Sequence, residues 1–330
     1  MKATTGLIAF TFRRTLLAVP TLILITMLIF AVMKLAPGNP FSALRAGRQR
    51  ATEAMPHSDY QSMLHRYGLD RPWYLQYESW LSTLLHGSLG ISFSEHRPVL
   101  DILKERLPYT LLLNGLALLF AVATAFPAGL IGALRKGGRF DRWSGVLLYG
   151  LYSVPAYWLA VLLIIAFGVK LGWLPFYGAH SVVESAGLRG VFDVLKHAIL
   201  PAITLGVGAA AFLSRFFRSS LLEALGADHV RTARAKGLSP VKLFTRHIFR
   251  PSLVPLITLA GLLVPELVAG SVVIEPIFAW PGIGTLYLHA IYSRDYPVIM
   301  SVALLGAVMV LAGTLAADLG CAVADPRLRS

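Results

Sequence analysis

The stretch SSLLEALGADHVRTARAKGLSPVKLFTRHIFRP, from Ser219 to Pro251, lies between two apolar runs that are each long enough to cross a bilayer. Counted with the arginine immediately before it, the stretch has seven basic residues against two acidic ones. The basic residues are Arg218, Arg231, Arg234, Lys236, Lys242, Arg246 and Arg250. A hydrophilic insert between membrane spans contacts water or a partner, so what it contacts is the main functional question.

The turn residues of this insert predict helices separated by tight turns. Asp228 is suited to cap a short helix from His229 to Lys236, and Gly237 is suited to end it. Ser239 and Pro240 then form an N-cap and first-turn pair for the next helix. The short helix would expose Arg231, Thr232, Arg234 and Lys236 to a partner. A basic loop that only fixes topology is the alternative, but topology does not require two glycine-punctuated helices.

The composition is that of a polytopic membrane protein. The chain has 330 residues, of which 56% are hydrophobic and 14% are charged, whereas soluble domains have about 25% charged residues. The formal net charge of +13 fits basic loops at an anionic membrane surface. Nucleic acid is not expected as a partner, because the basic loops have no base-stacking aromatic residues. The single Cys321 excludes an intrachain disulfide and a Cys-rich metal site.

Six apolar runs are predicted to be transmembrane helices. They are residues 15–33, 107–134, 146–169, 198–213, 253–274 and 298–319. Pro127, Pro155 and Pro265 lie within three of these runs. Such breaks are tolerated where a helix faces a neighbouring helix or a water-filled path, so they favour a moving pathway over a simple anchor.

The distribution of basic residues predicts the orientation. Six spans place both termini on one side, and seventeen of the 30 Lys and Arg residues fall in four short segments on that side. The positive-inside rule therefore predicts N-in and C-in, with the Ser219–Pro251 insert in the cytoplasm. Residues 1–106 would form the first span and a large outer loop. Residues 107–320 would form the transmembrane core with the 219–251 insert, and 321–330 a cytoplasmic tail.

The outer loop is predicted to contain an amphipathic helix. Its apolar and aromatic residues recur at a spacing of three to four: Trp73, Tyr74, Tyr77, Trp80, Leu81, Leu84 and Leu85. Packing on the rest of the protein and lying on the membrane both remain open for this helix.

The sequence predicts no catalytic, cofactor or metal residue. There is no G-x-x-x-x-G-K-[ST] loop for a nucleotide, no H-E-x-x-H and no G-x-S-x-G. Two acidic residues, Glu266 and Asp318, lie within predicted spans, where an ionisable group is a functional candidate. Glu266 lies beside the break at Pro265, and it is predicted either to line a path or to pair with a neighbouring helix. Asp318 is near a helix end, which favours a wet or paired carboxylate.

Several segments in order resemble the permeases of ABC importers in the dipeptide, oligopeptide and nickel class. RTARAKGLSPVKLFTRHIFRPSLVP (231–255) resembles their ATPase-coupling loop, although Arg231-Thr232-Ala233 stands where the general motif has Glu-Ala-Ala. Residues 13–40 resemble their first span and its A-P-G-x-P exit. IEPIFAWPGIG (274–284) resembles their outer hairpin, and DPRLR (325–329) their tail.

This resemblance implies an all-α, type I ABC-importer permease in the bacterial inner membrane. Its protein partners would be a second homologous permease, two cytoplasmic ABC ATPases and a periplasmic or lipid-anchored binding protein. Membrane lipid would surround its spans. The implied substrate is a di- or oligopeptide, with nickel or a metal chelate as the alternative. The alternative from another functional class is an ATPase-independent secondary transporter or channel. Such proteins tend to contain internal repeats, and none is evident in this sequence.

The resemblance also implies which residues contact an ATPase. They are Glu223, His229, Val230, Arg231, Thr232, Ala233, Arg234, Ala235, Lys236, Gly237 and Leu238. Pro265 and Glu266 remain the candidates for lining the path.

Overall fold

The structure, a computed structural model, describes residues 2–35, 57–181, 187–249, 252 and 267–324. In chain order its helices are α1 Lys2–Leu35, α2 His57–Arg66, α3 Trp73–Leu85, α4 Val99–Leu134, α5 Arg139–Ser153, α6 Ala156–Leu163, α7 Leu188–Gly226, α8 Asp228–Ala235, α9 Pro240–Lys242, α10 Ile274–Ile277, α11 Ile283–Ser293 and α12 Tyr296–Ala324. π-Helical turns continue α6 as Ile164–Lys170 and α9 as Leu243–Phe249. Within the described residues, one isolated bridge between Ile91 and Pro98 is the only β-type pairing. The prediction of an all-α chain is therefore confirmed for this part of the protein.

Among the residues that the structure describes, four helices are long and apolar enough to cross a membrane. They are Leu16–Leu35, Val99–Leu134, Leu188–Gly226 and Tyr296–Asp318. They correspond to the predicted first, second, fourth and sixth spans. The predicted fifth span, 253–274, lies mostly outside the described residues.

The predicted third span, 146–169, is bent. Helices α5 and α6 meet at an angle of 100°, and the pair is apolar enough to cross a membrane only when taken together. Pro155 precedes the first residue of α6, and Val154 has an extended backbone with φ −77° and ψ 126°. A proline has no N–H for the helix ladder and disfavours a helical residue before it, so the helix ends there.

Helices α4 and α7 are longer than the predicted spans. The structure has α4 begin at Val99, so Pro108 lies inside it, and α7 begin at Leu188, so Pro201 lies inside it. Hydropathy detects only the part of a helix that matches the lipid. The 36 residues of α4 extend for about 54 Å, which exceeds the bilayer core of about 30 Å.

Small residues at every fourth position form the seam between α4 and α7. The buried residues are Ala117, Ala121, Ala125 and Gly129 on α4, and Ala202, Gly206, Ala210 and Ser214 on α7. A spacing of four keeps them on one helix face. Small side chains let the two backbones approach closely, which is how helices pack in membranes without a hydrophobic driving force.

The two ends of α4 pack against different parts of the chain. At its first turns, Val99 and Ile102 lie in a core with Ile283 of α11 and Val298 of α12. Near its last residue, Ala133 lies in a core that includes residues of α7 and α8. Helix α4 therefore connects the region of α8 with the region of α11.

The predicted amphipathic helix is α3, and it packs on the protein. Tyr77 and Trp80 lie against a core that contains Phe30 of α1 and Met300 of α12. The ring centroids of Phe30 and Tyr77 are 5.5 Å apart. The first two residues of α3, Trp73 and Tyr74, remain exposed.

Candidate functional site around helix α8

Helix α8 begins one residue earlier than predicted. Ala227 has an extended backbone and is the N-cap, so Asp228 is the first helical residue and makes no side-chain capping hydrogen bond. The prediction of Asp228 as the cap is therefore wrong. Its carboxylate lies 3.6 Å from Arg231, and both side chains are largely exposed. An acidic residue in the first turn is still favourable beside the positive end of the helix dipole.

The predicted end of α8 at Gly237 is confirmed to within a residue. The helix ends at Ala235, and Gly237 has a φ of +73°, which an L side chain rarely adopts. The Gly237 N–H donates to the Arg234 carbonyl at 3.0 Å. Ser239 is the N-cap of α9 and Pro240 its first residue, as predicted, although the Ser239 side chain makes no capping hydrogen bond.

One face of α8 is anchored in the protein. Val230 is 1% exposed and Ala233 5% exposed, in a core with Phe217 and Leu221 of α7 and with Leu243 after α9. These two members of the predicted coupling set are therefore buried and present no surface to a partner. Their burial holds α8 against the end of α7.

The opposite face of α8 is exposed and basic. The exposed members of the predicted set are Glu223, His229, Arg231, Thr232, Arg234, Ala235, Lys236 and Gly237, while Leu238 is half-buried. His229 has a partner within the chain, since its Nε2 lies 3.0 Å from the His247 carbonyl oxygen. Arg231, Arg234 and Lys236 are left as a short cationic surface, which suits an acidic groove.

An ion pair that the sequence did not predict joins α5 and α7. The Arg218 guanidinium of α7 donates twice to the Asp141 carboxylate of α5, at 2.6 and 2.7 Å. The Gly137 N–H donates to the same carboxylate at 2.9 Å. Both side chains are mostly buried, at 18% and 8% exposure. A bidentate pair of this kind fixes the orientation of α5 against α7.

A second buried carboxylate lies toward the other end of α4. Glu275 of α10 is fully buried and accepts hydrogen bonds from Thr110 Oγ1 at 3.1 Å and from the Thr285 N–H at 3.0 Å. Thr110 Oγ1 in turn accepts from the Ile283 N–H at 2.7 Å. The carboxylate thereby satisfies N–H groups in the first turn of α11, which have no partner within that helix.

This arrangement leaves no room for a side chain at Gly282. A Cβ there would lie 2.4 Å from Thr110 Oγ1 and 2.5 Å from Glu275 Oε2. The sequence contained only one local sign of this carboxylate site, which is a glutamate followed by a Pro-Gly turn at a helix start. The hydrogen bonds depend on a contact between residues 165 positions apart, which local patterns do not show.

The predicted path residues, Pro265 and Glu266, lie outside the described residues. A cavity of about 370 Å³ lies between α4, α7 and the segment 267–273. Its walls are small or apolar apart from Asn114 and Ser271, and Asn114 Nδ2 donates to the Leu267 carbonyl at 3.1 Å. Asp318 is half-buried in α12 and lines a different cavity, against α1.

Similarity to known proteins covers almost the whole chain. Residues 125–330 match the family described as "Binding-protein-dependent transport system inner membrane component". Residues 7–114 match its N-terminal counterpart, "Binding-prot-dependent transport system membrane comp, N-term".

Three relatives each match almost the whole of this chain and almost the whole of their own length. The oligopeptide transport system permease protein AppB of Bacillus subtilis is 36% identical, over 97% of this chain and 99% of its own. The di/tripeptide transport system permease protein DppB of Pseudomonas aeruginosa is 38% identical, over 98% and 99%. The dipeptide permease DppB of Escherichia coli K12 is 36% identical, over 98% and 99%.

Among solved structures, the fold is similar to a chain of the MetNI methionine ABC transporter in an inward-facing conformation. The TM-score is 0.53 at 19% identity, over 68% of this chain and 97% of that one. The apolar helices and these similarities together place the chain in the bacterial inner membrane as a multi-pass protein. The chain belongs to the family of binding-protein-dependent transport system inner membrane components, the permeases of ABC importers.

Proposed function

We propose that the chain is the membrane-spanning permease subunit of an ATP-driven importer of di- and oligopeptides. The names of the relatives, which are oligopeptide, di/tripeptide and dipeptide permeases, support this substrate class. The main support for energy coupling through this chain is helix α8, which has a buried apolar face and an exposed basic face.

The proposed machine contains other subunits. A second homologous permease completes the pathway, two ABC ATPases bind α8 and its counterpart, and a periplasmic or lipid-anchored binding protein delivers the peptide. The chain has no nucleotide loop, which fits hydrolysis by separate subunits. The exposed members of the coupling set, above all Arg231, Arg234 and Lys236, contact the ATPase groove. Val230 and Ala233 anchor the helix from behind.

The proposed topology has six spans with both termini in the cytoplasm. Four long helices, the bent α5–α6 pair and the apolar run 253–274 supply the six. Domain limits follow from this topology: 1–106 for the first span and outer loop, 107–320 for the core with coupling loop 219–251, and 321–330 for the tail. Basic segments near α8 support this orientation.

Transport follows from the contacts around α8. ATP draws the two ATPases together, and α8 moves with them because its basic face is docked. The buried Val230 and Ala233 pass the movement to the end of α7. The Arg218–Asp141 pair passes it to α5, and the α5–α6 bend turns it across the membrane. Alternating access results from rigid-body shifts of packed helices. The cavity that α4 and α7 form with the segment 267–273 is the proposed path, and its neutral wall fits peptides of varied side chains.

Co-purification and uptake test this proposal together. In the assembled importer, Arg231→Ala with Arg234→Ala should reduce both the ATPase retained on the permease and peptide uptake in proteoliposomes. Lys104→Ala, which removes an exposed cation near the other end of α4, is the matched control and should change neither. If the chain retains no ATPase, or the double variant transports peptide normally, the importer proposal fails.

A further inference from the structure

A deep apolar cavity lies where α1, α3 and the start of α12 meet. Its volume is about 310 Å³, and aromatic and aliphatic side chains form most of its wall. The main ones are Phe30, Met33, Trp80, Phe93 and Met300. A second hollow of about 560 Å³ shares Leu69, Arg71, Gln76 and Tyr296 with the first, so the two form one continuous groove.

Two cations line the open part of this groove, Lys34 and Arg71. Lys34 is half-buried; its Nζ donates to Gln76 Oε1 and lies 4.9 Å from the centre of the Tyr296 ring. Within the described residues neither cation forms an ion pair with a carboxylate. A half-buried ammonium has lost part of its hydration, so an anion placed beside it is favourable.

The nearby carboxylates are engaged elsewhere. Asp70, adjacent to Arg71, lies 2.8 Å from His65 Nδ1. Asp295, adjacent to Tyr296, is fully buried and accepts from the Ser94 N–H at 3.0 Å. The groove is therefore apolar at its base and positive at its mouth, and no carboxylate of the described residues forms an ion pair with its two cations.

The groove opens at the depth of lipid headgroups. The apolar part of α1, Leu16–Leu35, is 20 residues long and extends for about 30 Å, so Lys34 lies at one face of the bilayer. The neighbouring side chains Leu28 and Val32 are exposed on α1, as expected of residues that face lipid. Trp73 and Tyr74 are also exposed beside the groove, and such aromatic residues are typical of membrane interfaces.

We propose that this groove binds an anionic phospholipid. The phosphate lies between Lys34 and Arg71, and an acyl chain fills the apolar cavity against Phe30 and Met300. The lipid would thereby join α1, α3 and α12, whose side chains form the wall of the groove. A soluble phosphate would use the same two cations but would leave the apolar base empty.

Native mass spectrometry of the full-length protein with its natural partners tests this site. After extraction from vesicles of phosphatidylethanolamine and phosphatidylglycerol, the wild type should retain phosphatidylglycerol in preference. Lys34→Gln with Arg71→Gln should reduce that retention by about tenfold, since each loses a charged hydrogen bond. Lys34→Arg with Arg71→Lys keeps both charges and should restore retention, and Lys104→Gln should leave it unchanged.

Two further arms separate the lipid from other ligands. Ser79→Trp, which fills the cavity from its wall, should also reduce retention although it removes no charge. Inorganic phosphate should not displace the bound lipid. Equal retention by the wild type and the Lys34/Arg71 glutamine variant would overturn the proposal, and so would displacement by inorganic phosphate.

Discussion

Two buried carboxylates lie near opposite ends of α4, and they are held in different ways. Asp141 is held mainly by a side chain, the Arg218 guanidinium of α7. Glu275 is held by backbone N–H groups and the Thr110 hydroxyl, which keep their places only while the segment from α10 to α11 keeps its fold. We infer that the Arg218–Asp141 pair carries movement of α7 to α5 during transport, while the Glu275 site stays rigid.

The largest expected effect is at Gly282. Gly282→Ala places a methyl group against Thr110 Oγ1 and Glu275 Oε2, so the hairpin cannot close around the carboxylate. We expect a loss of about 3 kcal/mol or more in the free energy of unfolding, measured as a lower unfolding temperature in detergent and a lower yield. Gly226→Ala at the end of α7 is the control, because its Cβ would contact nothing within 4 Å. Equal stability of the two variants would contradict a rigid hairpin.

Glu275→Gln tests the same hairpin without adding volume. An amide has one acceptor oxygen in place of two and directs an NH₂ group at N–H or O–H donors. We expect a loss of about 2 kcal/mol in the free energy of unfolding, because a buried donor is left without an acceptor. Thermal unfolding measures it. A variant as stable as the wild type would show that the carboxylate is not what holds the hairpin.

Asp141→Asn should have a smaller effect on stability and a larger one on transport. Asparagine keeps one acceptor oxygen for the Arg218 guanidinium, so we expect a loss of only about 1 kcal/mol in the free energy of unfolding. Peptide transported per ATP hydrolysed should fall, since α5 no longer follows α7. Arg215→Gln is the matched control, because Arg215 contacts Tyr149 of α5 by a more exposed hydrogen bond of 2.8 Å. If the Asp141→Asn variant transported a normal amount of peptide per ATP hydrolysed, the Arg218–Asp141 pair would not transmit movement between α7 and α5.

The smallest expected effect on stability is at the basic face of α8. Arg231→Ala with Arg234→Ala removes exposed side chains that contribute little to the fold, so the unfolding temperature should stay unchanged. Retention of the ATPases should nevertheless fall. The matched core variant, Val230→Asp, should lower both, because it places a charge in the core behind α8. If the Arg231/Arg234 variant lost stability but still retained the ATPases, the basic face would have a structural role, and this prediction would be contradicted.

The sequence predicted α8 well because its limits are local. Gly237, which has a positive φ, ends the helix within a few residues of its predicted end, and Asp228 marks its start, although as the first helical residue and not as the cap. The starts of α4 and α7 were missed because hydropathy ignores polar helical turns beyond the lipid, whereas Leu134 was correctly predicted as the last residue of the second span. The small residues from Ala117 to Gly129 recur at every fourth position and were a usable signal for the α4–α7 seam.

The two carboxylate sites were not predictable in this way. The Arg218–Asp141 pair joins residues 77 positions apart, and the Glu275–Thr110 bond joins residues 165 positions apart. Their chemistry depends on which helices meet, not on the surrounding sequence. Resemblance to a family drew attention to the segment 274–284, but only the packed helices show that Glu275 caps α11 from outside.

The most direct test of the coupling role of α8 is thiol protection at position 235. With Cys321→Ala as background, Ala235→Cys provides a single exposed thiol one helical turn after Arg231 and keeps all three cations of the basic face. A water-soluble maleimide should label it about tenfold more slowly in the importer assembled with its ATPases than in the permease alone, since 1.4 kcal/mol of docking free energy corresponds to that factor. Lys104→Cys should react equally in both. Equal labelling at position 235 with and without the ATPases would contradict docking of α8 on the ATPases.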